Sequence, residues 1–268
     1  MTANTVAGGR TLQPVTGRGW RLGFANMLAN ENGKWWGTRR WLLQLAIFVV
    51  LTNGLVLIVA ASGGRSGQTP TQLFGEAADA FTGVLNVVTC IGVVVMAQGA
   101  IIGEKQLGTA AWVMSKPASR AGFVLAKLIA YGLALLVLAL LVPTALFAAE
   151  TYFFWGAAPA LAPLLTSLAL VALHVAFYLA LTLMLGTLFA SRGPVAAIGV
   201  GLFIGGLILG GSIPVLPYFL PWPLPQLMYG LFLGNSLPDG WAMPVIATAV
   251  WTVLFIVIAL WRFGREEF

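Results

Sequence analysis

Long apolar runs, separated by short polar connectors, are the dominant pattern of this chain. A hydrocarbon core of about 30 Å needs about 20 helical residues, because each residue rises about 1.5 Å. The runs lack the alternating polarity of barrel strands, so they predict transmembrane helices. We therefore expect an all-α polytopic membrane protein, with residues 41–268 forming a six-span transmembrane domain. The expected spans are 41–61, 81–102, 124–149, 164–190, 195–213 and 243–261.

A further helical pattern precedes the first span, over residues 18–40. Its apolar residues, including Trp20 and Trp35, share one stripe, which favours an amphipathic helix lying at the membrane interface. Glu31 projects from the same stripe, so an ordinary juxtamembrane helix stays open as the alternative. Residues 1–17 lack an apolar core, and we expect a flexible cytoplasmic tail rather than a signal peptide.

Charge gives the orientation of these spans. Only 8% of the residues are charged, against 59% that are hydrophobic. In the six-span arrangement every Lys and Arg except Arg65, 13 of 14, lies on the side that holds both termini. The positive-inside rule therefore predicts that both termini are cytoplasmic. The positive charge is thus explained by orientation and lipid headgroups, and no nucleic-acid partner is expected.

Patterns of catalytic or metal-binding residues are missing from the sequence. The chain has one cysteine, Cys90, and one histidine, His174, which we expect to bond a neighbouring helix. No HExxH, GxSxG or GxxxxGK[ST] motif occurs, so we expect no enzyme and no cofactor bound by this chain. The polar residues expected inside the spans are few and uncharged, which leaves little to hold a coupling ion. They are Gln44, Asn53, Asn86, Thr89 and Gln98.

Two segments near the C-terminus carry packing signals. Residues 214–242 form the expected external connector, in which six prolines alternate with aromatic residues. Proline at this density forbids one long helix, so we expect short helical pieces resting on the outer leaflet, with a polyproline-type partner motif as the alternative. Span five has small residues four apart, which suit close helix packing. They are Gly201, Gly205, Gly206 and Gly210.

The connector at residues 103–123 concentrates several of the few charges in "GEKQLGTAAWVMSKPASR". Anchoring to anionic headgroups is its simplest explanation. The connector also resembles the cytoplasmic coupling segment of permease subunits of ATP-binding cassette (ABC) transporters, the type-2 exporter family. The acid about ten residues before a Trp-led first span, Glu31 before Trp41, extends the resemblance. The matching connector residues, in order, are Glu104, Gly108, Thr109, Pro117, Ser119, Arg120 and Lys127.

The resemblance implies a permease that forms a translocation path with a second permease copy, most simply as a homodimer, in a prokaryotic inner membrane. It implies two copies of a separate ATPase subunit, which binds ATP and Mg and drives export. Its expected ATPase-coupling contacts are Glu104, Lys105, Leu107, Gly108, Thr109, Trp112, Pro117 and Arg120, with Glu31 and Trp35 in the interfacial helix. The alternative class is a stand-alone six-span channel or secondary carrier without an ATPase partner.

Spacing within the connector predicts how it would dock. Leu107, Ala111 and Met114 recur at helical intervals and predict an apolar ridge, with Trp112 beside it. We expect Glu104 and Arg120 at the rim of this ridge, where charges orient a partner more than they tighten its binding.

Overall fold

The computed structural model describes residues 19–116 and 118–267, and of residues 64–66 it describes the backbone only. The tail expected at 1–17 and the coupling residue Pro117 lie outside the described residues. The described residues form eleven α-helices and no strand. The helices are Phe24–Trp36 (α1), Arg40–Ser66 (α2), Pro70–Ala97 (α3), Ile102–Gln106 (α4), Thr109–Met114 (α5), Arg120–Leu135 (α6), Val142–Trp155 (α7), Leu161–Leu188 (α8), Arg192–Leu209 (α9), Leu224–Phe232 (α10) and Ala242–Gly264 (α11).

Within the described residues, six stretches are long and apolar enough to cross a membrane, which confirms the predicted number of spans. Span one is α2, span two combines α3 and α4, and span three combines α6 and α7. Spans four, five and six are α8, α9 and α11. The α8 helix is the centre of the bundle. In its most apolar stretch of 18 residues 72% of the residues are buried, compared with 17% in the same stretch of α9. In α2 and α11 the corresponding share of buried residues is 22%, so these two helices, like α9, turn most of their surface outward.

Two spans are longer than their apolar runs suggested. Span two begins at Pro70 rather than at residue 81, because Thr69 and Gln72 form a capping box that starts the helix early. Span three continues to Trp155 rather than ending at residue 149. Glu150 therefore lies inside span three, and the expectation that the polar residues of the spans are all uncharged was wrong.

The two ends of the described chain meet at one end of the bundle. The α4 residue Lys105 pairs there with Glu266, just beyond α11, at 2.6 Å. The N-terminal helix α1 packs against α6 at the same end. We call this end the terminal face, and the other end, with the connector at residues 156–160, the opposite face.

The segment between spans five and six enters the bundle from the opposite face, whereas the sequence predicted pieces resting on the membrane surface. The backbone carbonyl of Pro221 lies 3.2 Å from Nδ1 of His174. His174 is 13 residues from the start of α8 at Leu161, or about 20 Å along the helix. The segment therefore reaches about halfway down span four. His174 was expected to bond a neighbouring helix, and it lies instead against a carbonyl of the non-helical backbone before α10.

Aromatic packing explains why this segment inserts. The ring of Phe147 stacks on those of Phe81 and Phe232, with centroid distances of 4.4 and 5.2 Å. Phe232 and Met228 belong to α10 and are buried. The α10 side chains thus complete a core that α3 and α7 begin, and leaving them on the surface would expose that core.

Span three changes its winding in the middle. Residues Leu136–Leu141 form a π-helical turn directly before Pro143, which lacks the N–H that an α-helix would need. Asn53 of span one stabilises α7, the half of span three that follows this turn. Its side-chain amide donates to the Pro143 carbonyl and to the Glu150 carboxylate, each at 3.1 Å. The turn therefore absorbs the proline without breaking the span.

The glycines of span five divide between two faces of α9. A Cβ built on Gly206 would lie 2.5 Å from Nε1 of Trp222, and Gly210 lies near the same ring. These two glycines therefore allow the entering segment to approach closely. Cβ atoms built on Gly201 and Gly205 would meet no heavy atom within 4 Å. Those two positions face open space on this chain.

We predict that Gly206→Ala lowers stability and that the matched change Gly205→Ala does not. The methyl at 206 would force the Trp222 indole to move, which costs about 1–3 kcal/mol in a well-packed site. At 205 the methyl meets open space, and alanine stabilises a helix over glycine by up to about 1 kcal/mol. Thermal melting of the purified variants measures both effects. Equal melting temperatures would contradict the close contact at Gly206.

Candidate functional site

The N-terminal helix is held against the start of span three. The backbone N–H of Ser119, just before α6, donates to the Leu22 carbonyl at 2.9 Å. Further along, the ring of Trp35 packs edge-on against Tyr131 of α6, with centroids 5.0 Å apart. Glu31 and Trp35 are both buried, so the predicted stripe faces the protein. Glu31, the acidic residue on this stripe, therefore contacts other protein groups rather than lipid.

Four charged side chains meet beneath α1, and we call them the ion-pair cluster: Glu31, Lys34, Glu104 and Lys127. Lys127 of α6 donates to Glu31 at 3.0 Å and to Glu104 at 2.7 Å. Lys34 of α1 donates to the same two carboxylates, each at 2.7 Å. The cluster therefore connects three elements: α1, α4 and the foot of span three.

The cluster balances its charges. The Lys127 side chain is only 1% exposed, and an unpaired ammonium at that depth would cost several kcal/mol. Burial on its own would lower the pKa of Lys34, but hydrogen bonds to Glu104 and Glu31 outweigh it and raise that pKa. Two cations and two carboxylates give the cluster a formal net charge of zero.

This arrangement corrects the role expected for Glu104. The sequence placed it at the rim of a docking ridge, facing a partner. In the structure its carboxylate points inward to Lys127 and Lys34, and the side chain is only 18% exposed. Glu104 therefore fixes α4 to α1 and span three, and a partner would feel it through the position of α4.

The connector folds as two short helices around a glycine turn. Gly108 has φ +70°, a left-handed conformation that side chains other than glycine rarely adopt. The hydroxyl of Thr109 donates to the Glu104 carbonyl at 3.2 Å and closes the end of α4. Gly108 and Thr109 thus have a local structural role, because together they turn the chain from α4 into α5.

Two large apolar side chains project from this turn, and we call them the Leu107–Trp112 patch. The side chains are 78% and 63% exposed. The ammonium of Lys116 lies 3.3 Å from the centre of the Trp112 ring, a cation–π contact. The predicted ridge was partly wrong, because Met114 packs against the core and Ala111 is half-buried. The exposed apolar surface is therefore smaller than predicted.

Other predicted coupling residues bind the chain's own C-terminal segment. Lys105 pairs with Glu266, and Arg120 donates to the Gly264 carbonyl at 2.8 Å. The side-chain amide of Gln106 donates to the carbonyl of Ala190, in the connector between spans four and five, at 2.9 Å. The α4 helix is thus bonded to the segment after α11 and to the connector between spans four and five, in addition to its bonds to α1 and α6 through Glu104. These contacts make it part of one connected layer.

Sequence reasoning missed the two features that organise the site. It counted Lys127 with the polar connector, although the residue is buried one to two turns inside α6. It also did not join Glu31 to Glu104. A signal was present, since an acid on the buried stripe of α1 and a lysine on the buried face of α6 each require a partner.

The described residues contain no group of three or more His, Cys, Asp or Glu side chains that could hold a metal ion. The site consists of charge pairs among its own elements, with the exposed Leu107–Trp112 patch beside them.

Six helices able to span a membrane, with an ordered charged layer at one end, define a multi-pass membrane protein among the described residues. The family model described as "ABC-2 family transporter protein" matches residues 38–268, which is most of the chain. The chain therefore belongs to the ABC-2 transporter family, in agreement with the resemblance of its connector. The match begins next to span one and leaves α1 outside it. No curated protein sequence matches the chain.

We predict that Lys127→Met destabilises the protein far more than Lys34→Met. Removing Lys127 leaves two carboxylates at a buried site, and breaking a buried pair in this way costs about 3–5 kcal/mol. The Lys34 side chain is 50% exposed, so its loss should cost only about 1 kcal/mol or less. Melting temperatures of the two purified variants provide the measurement. Similar losses would show that Lys127 does not organise the cluster.

Proposed function

We propose that the terminal face is cytoplasmic and that the Leu107–Trp112 patch docks the ATPase subunit of the transporter. As an ABC-2 family member, the chain is the membrane-spanning permease subunit of an ABC transporter, which works with an ABC ATPase in general. Family membership favours this function over a stand-alone channel or carrier. ATP and Mg would bind to the partner, because this chain carries no nucleotide-binding motif.

The exposed patch supports docking at this place. Leucine and tryptophan side chains this exposed on a polar protein face are typical of contact sites, and tryptophan is common among the residues that dominate binding energy. The strong bias of Lys and Arg to this side supports a cytoplasmic location, where an ATPase would be available. Both observations lead to the same face of the molecule.

The ion-pair cluster is the observation that carries the coupling proposal. A partner that moves the patch moves α4, and α4 is bonded through Glu104 to Lys127 inside span three. Because a buried ammonium cannot leave its carboxylates without a large cost, span three must follow. The same movement reaches α1 through Lys34. Displacement of a partner outside the membrane thus becomes displacement of a transmembrane helix.

We further propose that two permease copies, each bound to one ATPase, form the export path between them. The outward-facing surfaces of spans one, five and six support a second copy, since apolar helices this exposed face either lipid or protein. The open Gly201–Gly205 face of α9 supports close helix approach within such a dimer. A homodimer follows most simply, because its symmetry uses the same face twice.

We predict that Trp112→Ala reduces ATPase docking and that Trp241→Ala does not. Both tryptophans are exposed, but Trp241 precedes α11 at the opposite face. Loss of a tryptophan at the centre of a contact costs about 2 kcal/mol or more, or roughly 30-fold in affinity. The measurement is the amount of nucleotide-binding protein copurified with each tagged variant, with its ATPase activity. Undiminished copurification with Trp112→Ala would reject this docking site.

The dimer proposal has its own variant. Gly205→Leu should lower the dimer fraction in nanodiscs while leaving the melting temperature of the chain nearly unchanged, because the side chain enters open space on this chain. The control is Leu207→Phe, about 200° further round the helix. Chemical crosslinking measures the dimer fraction. A dimer that tolerates both changes equally would place its interface elsewhere.

A further inference from the structure

A cavity of about 180 Å³ opens beside the ion-pair cluster, between α1, α2, α3 and α6. Its walls include Glu31 and Lys34 from the cluster and Arg40 from the first turn of α2. We propose that this cavity binds the headgroup of an acidic glycerophospholipid from the leaflet at the terminal face, with its phosphate between Arg40 and Lys34. The inference does not depend on the ATPase docking proposed above.

The charge of the cavity favours an anionic ligand. The ion-pair cluster nets to zero, and among the described residues Arg40 forms no ion pair with a carboxylate. One uncompensated guanidinium therefore remains at the wall. Lys34 contributes as well, because an ammonium has three hydrogens and its two carboxylate contacts use only two. Arginine and lysine together are a common pair for a phosphate group.

The neutral groups of the cavity indicate which phosphate ester fits. The side-chain oxygen Oε1 of Gln44 is buried and accepts no hydrogen bond from the described residues. It calls for a donor next to the phosphate, such as a hydroxyl of a glycerol headgroup. The phenol of Tyr131, also in the wall, can donate to a phosphate oxygen. A phosphoglycerol headgroup supplies the anion and the hydroxyl together.

The surface beyond the cavity suits the acyl chains of such a lipid. Ile47 and Leu51 follow Arg40 and Gln44 on one face of α2, at helical spacing. Their side chains are 49% and 47% exposed on this chain. The same helix face therefore passes from a cationic end to an apolar strip, which is the order of groups along a phospholipid. A soluble phosphate ester would use only the first part.

The test is native mass spectrometry of the delipidated full-length permease, titrated with phosphatidylglycerol or phosphatidylcholine of the same acyl chains. We expect preferential binding of phosphatidylglycerol. Arg40→Gln should weaken it about tenfold, equivalent to about 1.4 kcal/mol. The matched control is Arg39→Gln, which removes the same charge from the adjacent exposed residue outside the cavity and should change binding less than twofold.

A second variant guards against misfolding of the first. Gln44→Glu keeps the side-chain size and places a negative charge against the phosphate, so binding should fall by a similar factor. Equal effects of Arg39→Gln and Arg40→Gln would show that the preference for phosphatidylglycerol comes from general surface charge. That result would overturn the proposed site. Equal binding of the two lipids would overturn it as well. Displacement of the lipid by millimolar glycerol phosphate would assign the cavity to a soluble phosphate ester and reject the lipid.

Discussion

The buried ammonium of Lys127 is the constraint on which the terminal face depends. Its side chain is 1% exposed, and its charge is tolerable only because Glu31 and Glu104 reach it from two other elements. One atom at the foot of span three therefore bonds both α1 and α4. Contacts from Lys105 and Arg120 to the C-terminal segment then add span six to the same layer.

The opposite face is organised by a different force. There the apolar rings of Phe81, Phe147 and Phe232 stack, and the segment between spans five and six enters the bundle to complete them. The bundle thus has a polar, charge-linked end and an apolar, aromatic end. Interactions at the first are few and directional, whereas those at the second are many and depend on close packing.

Much of the fold was predictable because span length and charge bias are local properties of the sequence. Six spans and a separate helix before them both follow from such patterns. The burial of Lys127 and the inward turn of Glu104 depend on pairings across 96 and 23 residues, which periodicity does not encode. The entry of α10 was missed for a related reason, since an apolar, proline-rich stretch suits a membrane surface and a bundle core equally well.

The π-helical turn at Leu136–Leu141 has a mechanical consequence for span three. Before the turn, α6 is bonded to the charged layer through Lys127. After the turn, Asn53 and the ring of Phe147 hold α7 to its neighbours. The turn bonds residues five apart where an α-helix bonds residues four apart, so the α-helical hydrogen-bond ladder is interrupted between the two halves of the span. A movement that enters span three through Lys127 therefore reaches the other half of the span only through a turn that is not α-helical.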